Sequence, residues 1–387
     1  MSLAPHGGRL IDRQLGPREV ERREAELRDL PQIRPYIDEV YDAEKIGTGA
    51  YSPLEGFMGR EAFESVLTRT RLPNGLPWSM PILLAPTGAE NLAVVERVGP
   101  GDAVALLDDH GRFFAVLHLD EKFAVDKTAF AEKTYGTTDV NHPNVADLRA
   151  TGDTALAGRI DLLRRLELPT GSSELTPAAT RAEFERRGWR NVAAYQCRNP
   201  PHTAHEYIQR LTLEREDVDA LFIHPVVGRL KKGDYRPDII LEAYRALVTN
   251  YYSEHRVLLA AFSIAMRYAG PRAALFLAIV RKNYGCSSYI VGRDQAGVGK
   301  YYDPYACHRI FDEFPIDIRP LRYEETFFCR TCGWMATAKT CSHPVESRLD
   351  TSQTRIRRAL TEGQAPPKEI LRPEVFEILS RPNVVLT

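Results

Sequence analysis

Between about residue 190 and residue 291, short apolar runs alternate with stretches of helical character, and two of the runs empty into polar loops. Val192–Tyr195 leads into Gln196-Cys197-Arg198-Asn199-Pro200-Pro201-His202-Thr203-Ala204-His205-Glu206. Ser288–Val291 leads into Gly292-Arg293-Asp294-Gln295-Ala296-Gly297. Strands are expected at Val192–Tyr195, Ala220–Pro225, Val257–Met266 and Ser288–Val291, with helices near 202–215, 238–251 and 271–284. Pro271 suits a first helical turn and Gly285 a helix stop. Such alternation predicts a parallel, Rossmann-like sheet. Ligands of open parallel sheets bind beyond the carboxyl ends of the strands, where both loops lie.

The loop chemistry fits an anion. A helix N-terminus offers free N–H groups and partial positive charge. His202 and His205 stand three apart, on one face of the helix that follows. With Arg198 they can stabilise charge that develops during phosphoryl-type chemistry. An isolated HxxH equally describes a surface loop with two incidental histidines. In the second loop, glycines let the backbone approach a ligand closely, and Arg293 can pair with phosphate oxygens in a fork.

Gln196–Glu206 resembles the QTRNPxHxxHE signature of the ATP sulfurylase (sulfate adenylyltransferase) family, and Gly292–Gly297 resembles its GRDHAG loop. The resemblance extends in order along the chain, through Pro5–Gly8, Tyr51–Met58, Thr176–Trp189, His224–Gly228, Met266–Arg272 and Arg281–Cys286. It implies adenylyl transfer from ATP to sulfate, giving adenosine 5′-phosphosulfate and pyrophosphate, with Mg²⁺ as the counter-ion of ATP. Arg198 would hold sulfate, with Gln196 and backbone amides near Ala296 completing the cradle. Asn199, His202 and His205 would stabilise the α-phosphate and the departing pyrophosphate. Gly292, Arg293, Asp294 and Gln295 would contact ATP, as would Gln196 and Arg198, and Ala336 would lie along the adenine.

Four positions depart from the family pattern: Cys197 for Thr in the catalytic loop, Gln295 for His, Leu277 for a His in the preceding helix, and Gln353 for Gly in an SGT-like turn at Ser352–Thr354. A thiol donates weakly, and Gln cannot carry charge. Direct in-line transfer needs no covalent nucleophile. Lys231, Lys232, Asp234, Arg267 and Arg272 read as a solvated rim or as groups that attract phosphate.

At 387 residues, the chain is expected to hold two or three domains. Residues 1–165 read as short strands and turns, and the resemblance implies a PUA-like β-rich domain acting as platform or oligomer contact. The resemblance implies a catalytic nucleotidyltransferase α/β domain over residues 166–325, and 326–387 read as a small tail domain with a helix around Arg355–Leu360. In the tail, Cys329-x2-Cys332-x8-Cys341-x1-His343 offers three thiolates and an imidazole, a set suited to structural Zn²⁺. Net charge of −1 gives no field for nucleic acid or a membrane surface. Without an apolar leader core or spanning run, the cytoplasm is the expected location. The resemblance implies a homo-oligomer, a dimer being the simplest. Two other readings stay open: a non-catalytic nucleotide- or sulfate-binding protein, and an adenylyltransferase acting on another small acceptor.

Overall fold

The computed structural model describes residues 3–168, 170–229, 233–349, 351, 353–362, 364 and 366–386. The amino-terminal sheet contains β1 (Gln32–Ile33), β2 (Gly56–Phe57), β3 (Ala103–Leu107), β4 (Phe113–Ala124) and β5 (Thr154–Leu162), ordered β1-β3-β4-β5-β2. The β4–β5 ladder shifts register between Leu119 and Glu121, as a bulge does when it bends a strand. Helices α1 (Pro17–Leu27), α2 (Ile37–Gly47), α3 (Arg60–Arg69), α4 (Ala89–Arg97), α5 (Lys127–Tyr135) and α6 (Pro143–Ala150) accompany it. The runs at 103–107 and 113–117 are strands, the second longer than expected. Met80–Leu84 meets the sheet through a Leu84–Leu156 bridge. Helices occupy much of what read as turns. One of them, α2, buries Lys45 between Glu44 and Glu174 at 2.5 Å from each, so opposite charges offset the desolvation.

The second sheet is parallel throughout: β6 (Val192–Tyr195), β7 (Ala220–Ile223), β8 (Val257–Leu259), β9 (Ser288–Val291) and β10 (Arg319–Arg322), in the order β10-β9-β6-β7-β8. Every residue of β6, β7 and β9 is buried, as strands covered on both faces require. Helices α7 (Pro177–Arg186), α8 (Thr203–Leu213), α9 (Pro237–Tyr251), α10 (Pro271–Asn283) and α11 (Ala306–Glu313) alternate with the strands. After α10, Gly285 takes φ +98°, the left-handed conformation that ends a helix at least cost to glycine. From β6 the chain winds one way to β7 and β8, then crosses to β9 and β10 on the other side. The strand order therefore reverses between β6 and β9, which makes that crevice the ligand site of such a sheet.

Two expectations change here. β8 stops at Leu259, and Ala260–Met266 leaves the ladder, touching the neighbouring strand end again at a Phe262–Val226 bridge. Arg267 and Arg272 are not rim residues. Arg267 is paired with Asp42, and Arg272 donates to Ser79 O at 2.9 Å and Lys133 O at 2.8 Å. Both staple the parallel sheet's unit to the amino-terminal one. Asn283 does the same, donating to Ala50 O at 3.0 Å and Ser52 O at 2.9 Å. Tyr51, Trp78 and Phe276 pack edge-to-face in the shared core, with Phe276 centroids 5.1 Å and 5.6 Å from the other two rings. Truncating such a phenylalanine costs about 3–5 kcal/mol.

The tail forms a three-stranded sheet, β12-β11-β13, from β11 (Phe327–Cys329), β12 (Trp334–Ala336) and β13 (Arg348–Leu349). It continues into α12 (Gln353–Thr361) and α13 (Pro373–Leu379). Val375, Ile378 and Leu379 share a core with Ile240, Leu241 and Tyr244 of α9. The buried Glu206 carboxylate, on α8, accepts from Arg372 at 2.7 and 2.8 Å and from Arg210 at 2.8 Å, tying the tail to α8.

Candidate active site

A cleft of about 740 Å³ opens where β6 and β9 end. Gln196, Cys197, Arg198, Asn199, His202 and His205 line it from the β6 loop; Gly292, Arg293, Asp294, Gln295 and Ala296 line it from the β9 loop. Two segments far apart in sequence thus face one volume.

Pro200 and Pro201 keep the residues before them out of helical conformation, so α8 begins only after His202, its extended N-cap. The His202 and His205 rings stack, 3.7 Å between centroids. Burial lowers His205 to about 4, and burial together with the His205 neighbour takes His202 well below its ordinary value. Both imidazoles are therefore neutral at pH 7 in the free cleft. His202 Nδ1 and Gln196 Oε1 are buried and find no hydrogen-bond partner among the described residues. Buried polar atoms without a partner cost free energy that a polar ligand would relieve.

Burial pushes the Cys197 thiol up, away from the thiolate that nucleophilic attack needs. Its sulfur accepts from Asn199 N at 3.4 Å and lies 3.8 Å from His205 Nε2. The thiol therefore spaces the loop. Arg198 lays its guanidinium over the Tyr268 ring, 5.2 Å from the centroid, with Nη1 3.9 Å from Asp234 Oδ2. Arg357 donates to Asn199 Oδ1 at 3.0 Å and stands 3.8 Å from the same Asp234 carboxylate.

In the β9 loop, Asp294 and Ala296 hold φ of +55° and +57°. Left-handed backbone at non-glycine residues stores strain that clusters at functional sites. A Cβ on Gly297 would stand 2.0 Å from Asp294 Oδ1, so only glycine lets that carboxylate fold back. Gln295 Nε2 donates to Tyr289 OH at 3.1 Å, so the side chain has a protein partner of its own. Arg293 is half exposed, its nearest carboxylate being Glu325 at 3.8 Å. Gly270 N donates to Ala296 O at 3.1 Å, connecting this loop to the start of α10.

Residues 172–382 match the ATP-sulfurylase family, and residues 3–165 match the PUA-like domain. The chain belongs to the ATP-sulfurylase family. It is 49% identical to the sulfate adenylyltransferase of Symbiobacterium thermophilum, over 97% of this chain and 95% of that one. It is 44% identical to that of Aeropyrum pernix, over 99% of both. Among solved structures, the hexameric APS kinase from Thiobacillus denitrificans superposes with TM-score 0.77 at 26% identity, covering 99% of this chain and 69% of its own. The architecture is an α/β nucleotide-binding fold with a PUA-like amino-terminal domain.

A second constellation of this ATP-sulfurylase chain lies in the tail. His343 Nδ1 is 3.5, 3.2 and 3.5 Å from the sulfurs of Cys329, Cys332 and Cys341, and the last two sulfurs are 3.7 Å apart. Tetrahedral zinc bonded to sulfur at about 2.3 Å and nitrogen at about 2.0–2.1 Å spaces sulfurs about 3.8 Å apart and sulfur from nitrogen about 3.6 Å. The four donors fit that ion. Gly333, at φ +66°, closes the turn between the first two cysteines and β12. Ala336 is buried with Phe327, Cys329 and Cys341 and does not line the cleft.

Lys231 and Lys232 lie outside the described residues, as do Ser352 and the side chains of Gln353 and Thr354. Sequence reasoning missed Tyr268 and Arg357 and left Asp234 at the rim. Tyr268 stood inside a family-like block, Met266–Arg272, so a signal existed for it. Nothing local marks Arg357, because its partner is 158 positions away.

Proposed function

We propose that this protein is a sulfate adenylyltransferase whose reaction takes place in the β6/β9 cleft. The observation that carries the placement is the convergence of Arg198, Arg293, two stacked neutral histidines and two unpartnered buried polar atoms on one switch-point crevice. A sulfate oxygen attacks the α-phosphorus of ATP, the new S–O–P link forms, the bond from that phosphorus to the bridging oxygen breaks, and pyrophosphate departs in line. No enzyme nucleophile takes part, which agrees with a buried, protonated Cys197. The protein's work is to position two anions and offset their charge.

In this reading Arg198, held over the Tyr268 ring, presents its fork to sulfate, with Gln196 and the Ala296 amide beside it. Asn199, oriented by Arg357, and His202 and His205 face the α-phosphate and the oxygens of the leaving group. The triphosphate raises the affinity of both imidazoles for protons, so they become better donors as the polyanion settles. Arg293 addresses the polyphosphate, with Gly292, Asp294 and Gln295 shaping the wall. Mg²⁺ enters with ATP and neutralises phosphate charge.

Zn²⁺ on Cys329, Cys332, Cys341 and His343 is assigned a structural role, since four protein donors leave no open position. It would brace β11 and β13, whose residues Phe327, Arg348 and Leu349 line the cleft. The functional division follows residues 1–165, 166–325 and 326–387. Among the described residues no helix is long and apolar enough to cross a membrane, and a cytoplasmic location suits an ATP-consuming reaction. Self-association, with a dimer as the simplest form, completes the reading.

Incubation with ATP, sulfate, Mg²⁺ and inorganic pyrophosphatase tests it. Adenosine 5′-phosphosulfate accumulating only when sulfate is present supports the assignment; nucleotide binding without product contradicts it.

A further inference from the structure

The segment Met266–Tyr268 belongs to the catalytic half of the chain, yet its backbone is held by the amino-terminal unit. Asn144, buried in the first turn of α6, uses both ends of its amide: Oδ1 accepts from Tyr268 N at 2.6 Å and Nδ2 donates to Met266 O at 3.0 Å. His142, the fully buried N-cap of α6, places Nε2 2.9 Å from Tyr268 O. Tyr302 donates its hydroxyl to the same carbonyl at 2.7 Å. Next to Tyr268 in the chain, Arg267 is paired with Asp42 of α2. Tyr302 also presses on Gly270, where a Cβ would come within 2.6 Å of the ring and φ is +50°, so the loop cannot swing away on that side.

Tyr268 is fixed at both its N–H and its C=O, and its ring is the surface on which the Arg198 guanidinium lies at 5.2 Å. A cation resting on an aromatic face is restrained in plane but keeps its edge donors free. Those edge donors are what a tetrahedral oxyanion needs. A guanidinium free to rotate would lose that alignment before any other contact was disturbed.

We propose that the amino-terminal unit sets sulfate capture: Asn144 and His142 are positioning residues that act through Tyr268 on Arg198. This rests on the sulfate adenylyltransferase reading and extends it, giving the PUA-like domain a part in substrate selection beyond that of a platform. The contribution is greater for sulfate than for nucleotide, because the clip touches neither the β9 loop's arginine nor the two histidines.

Steady-state kinetics on full-length Asn144→Ala, Tyr268→Leu, Tyr268→Phe and the double variant Asn144→Ala/Tyr268→Leu test it, varying sulfate and ATP separately. Asn144→Ala and Tyr268→Leu each raise the KM for sulfate about five- to tenfold, with the KM for ATP within about twofold. Tyr268→Phe, which keeps the ring, restores the sulfate KM. The double variant is no worse than Tyr268→Leu alone, because both changes break one chain of contacts. Folding is checked by thermal unfolding, and Tyr268→Leu, which leaves the clip's side chains intact, carries the test should Asn144→Ala unfold. A sulfate KM unmoved in Tyr268→Leu, or ATP and sulfate constants that rise together, overturns the inference while leaving the enzyme assignment standing. A wild type without turnover overturns the assignment itself and the inference with it.

Discussion

Arg357 Nη2 donates to Asn199 Oδ1 at 3.0 Å, so a helix near the end of the chain sets the orientation of an amide in the first catalytic loop. With its oxygen engaged, the Asn199 amide is left to act as a donor. A hydrogen bond from a charged group is worth about 1.5–3 kcal/mol. Arg357→Ala is expected to lower kcat by about 10- to 100-fold with the fold retained. Circular dichroism and turnover measured on one preparation check this; an unchanged kcat would remove Arg357 from the account.

Cys197 stands where a nucleophile would be sought, beside an imidazole. Burial holds its thiol in the protonated form. Cys197→Ser should therefore keep kcat within about tenfold of wild type, as loss of an attacking group would not. A larger loss, or a trapped adenylyl-cysteine, would reopen covalent catalysis.

The histidine pair makes stability depend on acid. Both side chains are lowered from 6.5 in the folded chain, His205 to about 4. As pH falls the unfolded state takes up protons first, so the stability these groups contribute is complete above about 6.5 and drains away toward pH 4. His205→Asn should lose stability less steeply across that window, read from urea midpoints at pH 7 and pH 4.5. His6, also lowered to about 4 by burial, keeps part of the slope in the variant. Identical slopes in the two proteins would mean that His205 takes up its proton at the same pH folded and unfolded, which contradicts its burial-lowered proton affinity.

Removal of metal addresses the tail. About one zinc per chain is expected on elemental analysis, with both thermal stability and turnover falling on chelation. The two fall together because β11 and β13 carry cleft-lining residues. Full activity in a zinc-free preparation would contradict the bracing role.

The strands that frame the cleft were legible because a strand buried on both faces must be a continuous apolar run, and at β6 and β9 those runs end abruptly in polar loops. The helix at 271–283 was legible from Pro271 and Gly285. β10 was not: Arg319-Pro320-Leu321-Arg322 is an edge strand with one buried residue, so no apolar run announces it. The amino-terminal helices were obscured in two ways. α2 buries charged residues, and α5 and α6 show little amphipathic periodicity, although α1 carried a readable signal. The loops' own residues could be named from sequence, whereas Tyr268 and Arg357 gain their part only from contacts between distant segments.

The most direct test of the central claim is ATP formation from adenosine 5′-phosphosulfate and pyrophosphate with Mg²⁺, comparing wild type with Arg198→Ala. This direction releases free energy, so even a slow enzyme registers. The account predicts steady turnover by wild type and a loss of at least about 100-fold in the variant, the scale of removing a charge-stabilising donor. A folded, zinc-loaded wild type that makes no ATP, or a variant that makes it at the wild-type rate, would contradict it.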